Sequence, residues 1–212
     1  MVDKIKFVAL GDSLTFGFQS PNIFLPGGEE FPYTQFLETI LVSELPKKGL
    51  SRVEAYFRNV GMLGDTTRSM LQRFDAHVAA LEPDYVIVWG GINDLFMLQS
   101  VDSILDNLKQ IYRKAREADV EPIACTITSV TGNDHIVPRI VELNDMIRSL
   151  CEEQGILIAD LFAATSDENA RLMETFSSDG VHLSSAGYRK IAYTIYYEVI
   201  EPILDNLEKA GN

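Results

Sequence analysis

A serine, a histidine and a carboxylate in this chain have the types and spacing that nucleophilic catalysis needs. Ser13 comes shortly after an apolar run that ends at Gly11, and Asp179 precedes His182 by three residues. A serine hydroxyl becomes a good nucleophile when an imidazole removes its proton, and a carboxylate orients that imidazole and stabilises its charged form. We therefore expect Ser13 to be the nucleophile, His182 the general base and Asp179 the group that orients the histidine.

The same chemistry requires hydrogen-bond donors for a negatively charged oxygen. Attack on a carbonyl group places charge on its oxygen, and donors that are already in position stabilise that oxyanion. The available donors are the backbone N–H groups of Ser13 and Gly64 and the side-chain amide of Asn93. A glycine lets the backbone approach a ligand closely, and an amide donates without competing as a base. We expect these three groups to form an oxyanion hole.

Alternating strands and helices must bring these residues together. Short apolar runs that end in turn residues predict strands, and apolar residues at helical spacing predict the helices between them. The five predicted strands cover residues 5–10, 53–59, 85–89, 122–127 and 156–159. This alternation predicts a parallel sheet with helices on both faces and all strand carboxyl ends at one edge. Ser13, Gly64 and Asn93 follow the first three strands, so we expect them at that edge.

The final predicted helix supplies the histidine side of the site. Residues 176–182 form an irregular segment that leads into this helix, which is expected to begin near Ser185. Pro202 is expected to bend or break the helix, because proline lacks an N–H group and its ring crowds the preceding turn.

The composition favours one soluble domain that spans residues 1–212, with 46% hydrophobic and 23% charged residues. A net charge of −13 argues against a nucleic-acid partner, because a phosphate backbone attracts basic surfaces. Cys125 and Cys151 lack the spacing of a metal or redox motif, and no metal is expected. No apolar run is long enough for a signal peptide or a membrane span, so we expect a cytoplasmic location.

Four sequence blocks together resemble those of the SGNH, or GDSL-type, hydrolase family. They occur in order at residues 11–14, 61–66, 91–94 and 179–182. The resemblance implies a three-layer α/β/α, flavodoxin-like fold with five parallel strands in the order 2-1-3-4-5. It also implies hydrolysis of small or medium carboxylic esters or thioesters without a cofactor, and it is greatest for the small lysophospholipase and acyl-thioesterase branch. Two residues depart from the common family wording, Leu63 where a small polar residue is frequent and Leu183 where proline often follows the histidine.

An apolar loop after the first block is a candidate for substrate binding. Residues 16–30 are expected to be irregular, because they contain several prolines and glycines. The loop also carries the large apolar side chains of Phe16, Phe18, Phe24 and Leu25. These side chains either line an acyl pocket or pack the loop against the domain.

Two other functions compete with ester hydrolysis of this kind. The same residues could remove acetyl groups from a sugar or polysaccharide, which makes a carbohydrate O-deacetylase the alternative enzyme. A ligand-binding module on a flavodoxin-like sheet is the alternative without catalysis. Neither the acyl chain length nor the oligomeric state follows from the sequence.

Other motif readings fail on the residues present. Thr15 stands where the nucleophile elbow of α/β-hydrolases has its second glycine, so that motif is not supported. The chain lacks both the Gly-Lys-Ser/Thr of a P-loop and a GxGxxG after the first strand. Asp12 and Asp94 are expected to accept hydrogen bonds from loop amides rather than to carry protons.

Overall fold

A parallel five-stranded sheet forms the centre of the computed structural model, which describes residues 3–20, 29–177 and 179–211. Its strands are β1 (Asp3–Gly11), β4 (Val53–Asn59), β5 (Tyr85–Trp89), β6 (Glu121–Cys125) and β7 (Leu157–Ala159). They lie in the order β4-β1-β5-β6-β7, and each neighbouring pair is parallel. Counted within this sheet alone, the order is 2-1-3-4-5, so the expected fold class and strand order are confirmed.

The strand sequences explain which strands lie inside the sheet. The central strands β1 and β5 carry consecutive buried apolar residues, as strands covered on both faces do. The edge strand β4 alternates between half-buried and exposed residues. Phe7 of β1 stacks on Phe57 of β4 at 4.8 Å and on Tyr85 of β5 at 5.1 Å between ring centroids. These rings pair neighbouring strands in one register and contribute to the core on one face of the sheet.

Helices cover the sheet in two layers. The α-helices of the described residues are α1 (Ser13–Phe16), α2 (Tyr33–Lys47), α3 (Thr67–His77), α4 (Ile92–Phe96), α5 (Val101–Glu117), α6 (Val137–Gln154), α7 (Leu161–Thr165), α8 (Ser185–Ile195) and α9 (Glu201–Gly211). The long helices α3, α5 and α6 pack side by side, and α2 packs against α8 on the other side. Three of the helices begin with hydroxyl caps, in which Thr66, Ser100 and Ser184 accept a backbone N–H three residues ahead.

The C-terminal helical segment does not break at Pro202. A π-helical turn spans Tyr196–Ile200 between α8 and α9, and the Glu201 N–H donates to the Tyr196 carbonyl five residues back. Of the two expected outcomes, a bend or a break, the break does not occur, because the wider turn accommodates the proline ring and its missing N–H while the chain stays helical.

A short hairpin replaces part of the loop that was expected to be irregular. Strand β2 (Phe18–Gln19) pairs antiparallel with β3 (Glu29–Glu30). Gly17 turns the chain into β2 with φ +94°, and a Cβ there would lie 2.4 Å from the Pro32 nitrogen. The hairpin base is tied to α8, because the Tyr188 hydroxyl donates to the Phe18 carbonyl at 2.7 Å. Residues 21–28, which include Phe24 and Leu25, lie outside the described residues.

Candidate active site

Ser13 is the first residue of the short helix α1, which begins just after the carboxyl end of β1. Asp12 caps the short helix α1, and its Oδ1 accepts the Leu14 N–H at 2.9 Å. The Ser13 side chain is nearly buried, and its Oγ lies 3.2 Å from Nε2 of His182, which is 169 residues away in sequence. The structure therefore brings together the two most distant members of the expected constellation.

A tight turn aligns Asp179 with His182. Oδ2 of Asp179 lies 2.8 Å from Nδ1 of His182, while Oδ1 accepts the backbone N–H groups of Val181 at 2.9 Å and His182 at 2.7 Å. Gly180 makes the turn possible with φ +83°, and a Cβ there would lie 2.2 Å from the Thr131 carbonyl oxygen. The three-residue spacing thus directs the carboxylate and the imidazole toward each other.

The hydrogen bonds around Asp179 keep its carboxylate ionised. Partial burial alone would raise the pKa of this group. Hydrogen bonds from the Ser20 hydroxyl, from His182 and from the two backbone N–H groups outweigh burial and lower the pKa to about 2. Ser20 donates to Oδ2, the same oxygen that contacts the imidazole. At neutral pH the negative charge is therefore available to stabilise an imidazolium.

Gly64 in the loop after β4 and Asn93 in the first turn of α4 are joined through Asp65. The Asn93 Nδ2 donates to the Asp65 carbonyl oxygen at 2.9 Å, which uses one of the two amide N–H bonds and leaves one for a ligand. Gly64 is exposed and has φ +72°, and a Cβ there would meet no described atom within 4 Å. Its left-handed backbone, rather than a close contact within the protein, is thus what calls for glycine at this position.

Two buried aspartates, Asp12 and Asp94, are the sequence neighbours of Ser13 and Asn93. Asp94 accepts the Thr67 N–H at 2.9 Å and the Thr67 hydroxyl at 2.7 Å, so Asp12 and Asp94 bind loop amides as expected. Burial, together with the charges of Asp65 and Asp94, raises the pKa of Asp12 to about 7. The Asp12 Oδ2 has no hydrogen-bond partner among the described residues. A carboxyl in this environment is neutral over much of the pH range in which ordinary aspartates are ionised.

Arg73 bonds to the Asp65 carboxylate and to the end of β1. Its Nε and Nη2 lie 2.8 Å and 2.7 Å from Oδ2 of Asp65, and Nη2 also donates to the Gly11 carbonyl oxygen at 3.1 Å. The sequence reasoning missed Arg73, because an arginine in an amphipathic helix is ordinary and nothing local indicates which oxygens it reaches. It missed Ser20 for the same reason, since Asp179 lies 159 residues away.

The apolar candidates occupy different environments. The Phe18 ring packs edge-on against the His182 imidazole, with 4.7 Å between ring centroids. Phe16 is half-buried at the end of α1, and its N–H donates to the Asp12 carbonyl. Phe24 and Leu25 lie outside the described residues. Phe18 therefore packs against the imidazole, whereas substrate binding by any of the four stays a prediction.

Exposed apolar side chains lie close in sequence to the expected oxyanion donors. Large exposed apolar side chains occur directly before Gly64 and shortly after Asn93, at Met62, Leu63, Phe96, Met97 and Leu98. Leu63 keeps 59% and Leu98 75% of its surface exposed. Both apolar runs can be found in the sequence, but the hydrogen bond from Asn93 to Asp65, which links the two segments, cannot.

The remaining expectations concern metal ligands, the two cysteines and membrane-spanning helices. Within the described ranges, His, Cys, Asp and Glu side chains form no group of three that could hold a metal ion. Cys125 and Cys151 are free and buried, and burial raises the pKa of the Cys151 thiol to about 11. In the same ranges, every helix is too short or too polar to cross a membrane.

A family model and several relatives match this chain. A model of the GDSL-like lipase/acylhydrolase family matches residues 9–190. An acetylxylan esterase from Geobacillus stearothermophilus is 25% identical over 182 residues, which cover 79% of this chain and 80% of that protein. The lipase/acylhydrolase from Enterococcus faecalis has a TM-score of 0.72 at 24% identity, over 93% of this chain and 96% of that one. Axe2, an acetylxylan esterase from Geobacillus stearothermophilus, has a TM-score of 0.74 at 20% identity, over 93% and 95% of the two chains. The two structural comparisons establish the shared fold.

Proposed function

The chain belongs to the GDSL-like lipase/acylhydrolase family, and we propose that its ester hydrolysis proceeds through an acyl-enzyme on Ser13. The observation that carries this proposal is the continuous path from Ser13 Oγ through the His182 ring to Asp179 Oδ2, with distances of 3.2 Å and 2.8 Å. Nε2 of His182 takes the hydroxyl proton while Oγ bonds to the carbonyl carbon of the ester. The carboxylate of Asp179 holds the ring and stabilises the imidazolium.

The second half of the reaction regenerates the serine. The tetrahedral adduct collapses, the bond to the leaving oxygen or sulfur breaks, and His182 gives its proton to that atom. A water molecule then attacks the acyl-enzyme, with His182 again taking a proton, and the carboxylic acid and free Ser13 are released. The proposed donors to the oxyanion are the N–H groups of Ser13 and Gly64 and the unused N–H of Asn93.

Two substrate classes use this mechanism. Small or medium acyl esters and thioesters are our first choice, because apolar side chains such as Leu63 and Met97 lie in sequence beside the proposed oxyanion donors. Removal of acetyl groups from a carbohydrate is the second, because the matched relative from Geobacillus stearothermophilus is an acetylxylan esterase. A series of acetyl, butyryl, octanoyl and palmitoyl esters and thioesters separates them. Preference for acetyl favours the carbohydrate, and preference for longer chains favours the acyl ester.

The nucleophile is tested by covalent labelling. A fluorophosphonate should attach to Ser13 of the wild-type protein, and peptide mapping should find the adduct there. Ser13→Ala should lose both the label and turnover of a 4-nitrophenyl ester, whereas Ser149→Ala, which changes an exposed serine of α6, should keep the label on Ser13. Folded protein that resists the reagent would support the ligand-binding module instead. A cytoplasmic location is part of the proposal and is tested by fractionation of the cells that make the protein.

A further inference from the structure

We propose that Arg73 is a positioning residue for the oxyanion hole, an inference that rests on the function proposed above. Its guanidinium bonds at once to the side chain of Asp65, which follows Gly64, and to the carbonyl of Gly11, which ends β1 two residues before Ser13. Arg73 therefore contacts both backbone segments that supply the proposed N–H donors.

The third donor is reached through Asp65. The Asn93 side chain donates to the backbone carbonyl of Asp65 at 2.9 Å. Asp65 therefore links Arg73, which binds its carboxylate, to Asn93, which binds its carbonyl. The Met62 N–H also donates to the Gly11 carbonyl, at 3.0 Å, which links the same two segments a second time. Donors must lie within fractions of an ångström of the developing charge to be effective, so a residue that sets their spacing affects the rate without touching substrate.

The burial of the pair indicates a purpose other than stability. The side chains of Arg73 and Asp65 keep only 10% and 6% of their surface exposed. Removing two charges from water costs about as much as their attraction returns, so a buried ion pair is a poor source of stability. Nη1 of Arg73 is moreover buried without a hydrogen-bond partner among the described residues. The guanidinium is thus placed where it reaches two particular oxygens rather than where its own donors are best satisfied.

Electrostatics add a second reason. Without Arg73, the Asp65 carboxylate would carry an uncompensated negative charge directly beside Gly64 and Asn93. A negative charge at that position opposes the oxyanion that forms on the substrate. Arg73 neutralises it, while its bonds to Gly11 and Asp65 keep the donors in place.

Arginine is the side chain that this geometry requires. Its planar fork presents Nε and Nη2 to one carboxylate oxygen and directs Nη2 to a carbonyl as well. A lysine has three donors on one nitrogen and lacks the separate Nε and Nη2 of the arginine fork. Lysine therefore restores the charge but not the two-nitrogen contact with Asp65 that accompanies the bond to Gly11.

The test compares kcat, KM and pH profiles of substituted enzymes on a short-chain ester. Arg73→Met should lower kcat about 30- to 100-fold with little change in KM, since distorting the oxyanion donors costs up to what removing one of them costs. Arg73→Lys should recover part of this loss. The pH dependence of kcat should stay the same, because among the described residues the guanidinium of Arg73 bonds to Asp65 and Gly11 and not to His182 or Asp179.

Arg148→Met is the matched control. Arg148 lies on α6 and bonds to Asp160 after β7, at 2.8 Å from Nε, as Arg73 on α3 bonds to Asp65 after β4. Its removal measures what loss of a helix-to-loop arginine–aspartate pair does in general, and kcat should change less than about twofold. Should Arg73→Met fail to fold, kcat is measured instead for Arg73→Lys and Asp65→Asn. Near-UV circular dichroism first shows that these two variants are folded.

A double-substitution cycle with Asn93→Ala decides whether Arg73 acts through the donors. If it does, Arg73→Met should cost much less in the absence of the Asn93 amide than in its presence. A normal kcat for the folded Arg73 variants, or losses that multiply fully with that of Asn93→Ala, would overturn the proposal. If Ser13→Ala and Asn93→Ala are themselves active, the proposed function fails, whatever Arg73 does.

Discussion

The two halves of the site are held in place by different means. Asp179 and His182 are aligned within one turn, through backbone N–H groups no more than three residues away. Gly64 and Asn93 are held from a distance, through Asp65 and the buried Arg73 of a separate helix. The acid–base half is thus built locally, whereas the oxyanion half depends on how strands and helices pack. Substitutions should therefore affect the two halves in different ways.

The largest effect is expected where the local half is broken. Asp179→Asn removes the charge that stabilises the imidazolium, so kcat should fall about 10⁴-fold with the fold intact. Steady-state kinetics on a 4-nitrophenyl ester measure this loss, with Asp167→Asn, at a loop outside the site, as a control. A loss of less than tenfold would mean that another group orients His182.

A smaller loss is expected in the distant half. Asn93→Ala removes one oxyanion donor and its bond to the Asp65 carbonyl, so kcat should fall about 10²- to 10³-fold. Asn93→Asp keeps the size of the side chain but adds a negative charge beside the oxyanion, and it should be at least as harmful. An alanine variant with near-normal kcat would remove this amide from the mechanism.

Ser20 tests whether the local half is as independent as the comparison implies. Its hydroxyl shares Oδ2 of Asp179 with the imidazole, so Ser20→Ala should raise the pKa of Asp179 and strengthen the bond to His182. Activity should then rise at a higher pH in the variant than in the wild-type protein, because a more basic carboxylate stabilises the imidazolium more strongly. Ser20→Thr, which keeps the hydroxyl, should recover the profile. An unchanged profile in the alanine variant would confine Ser20 to a structural role.

The buried carboxyl of Asp12 should affect the pH dependence of the free energy of unfolding rather than kcat. Burial raises its pKa from an ordinary value of 3.8 to about 7, so between these pH values the folded state holds a proton that the unfolded state has lost. Stability should therefore decrease as pH rises from 4 to 7, by up to about 4 kcal/mol. Asp12→Asn, which stays neutral, should lack this part of the pH dependence in chemical denaturation. Parallel curves for the two proteins would contradict the prediction.

The sequence predicted the features that follow from local patterns. The strand order follows from the family resemblance, and the facing of Asp179 and His182 follows from their spacing within one short segment. It did not predict Arg73, Ser20 or the hairpin strand β2, because each depends on a partner far away in the chain. Helical propensity likewise could not show how the chain accommodates Pro202, since the adjustment is made in the turn before the proline.

That adjustment sets the rotation of the last helix. A π turn contains one residue more than an α-helical turn, and each residue of an α-helix advances the direction of side chains by about 100°. An uninterrupted α-helix with this sequence would turn the buried Leu204 toward the half-buried direction that Asp205 now takes. It would also turn Asp205 away from Lys48, which lies 2.6 Å from it at the end of α2. The wide turn thus acts as a phase shift that keeps Leu204 in the core and Asp205 beside Lys48.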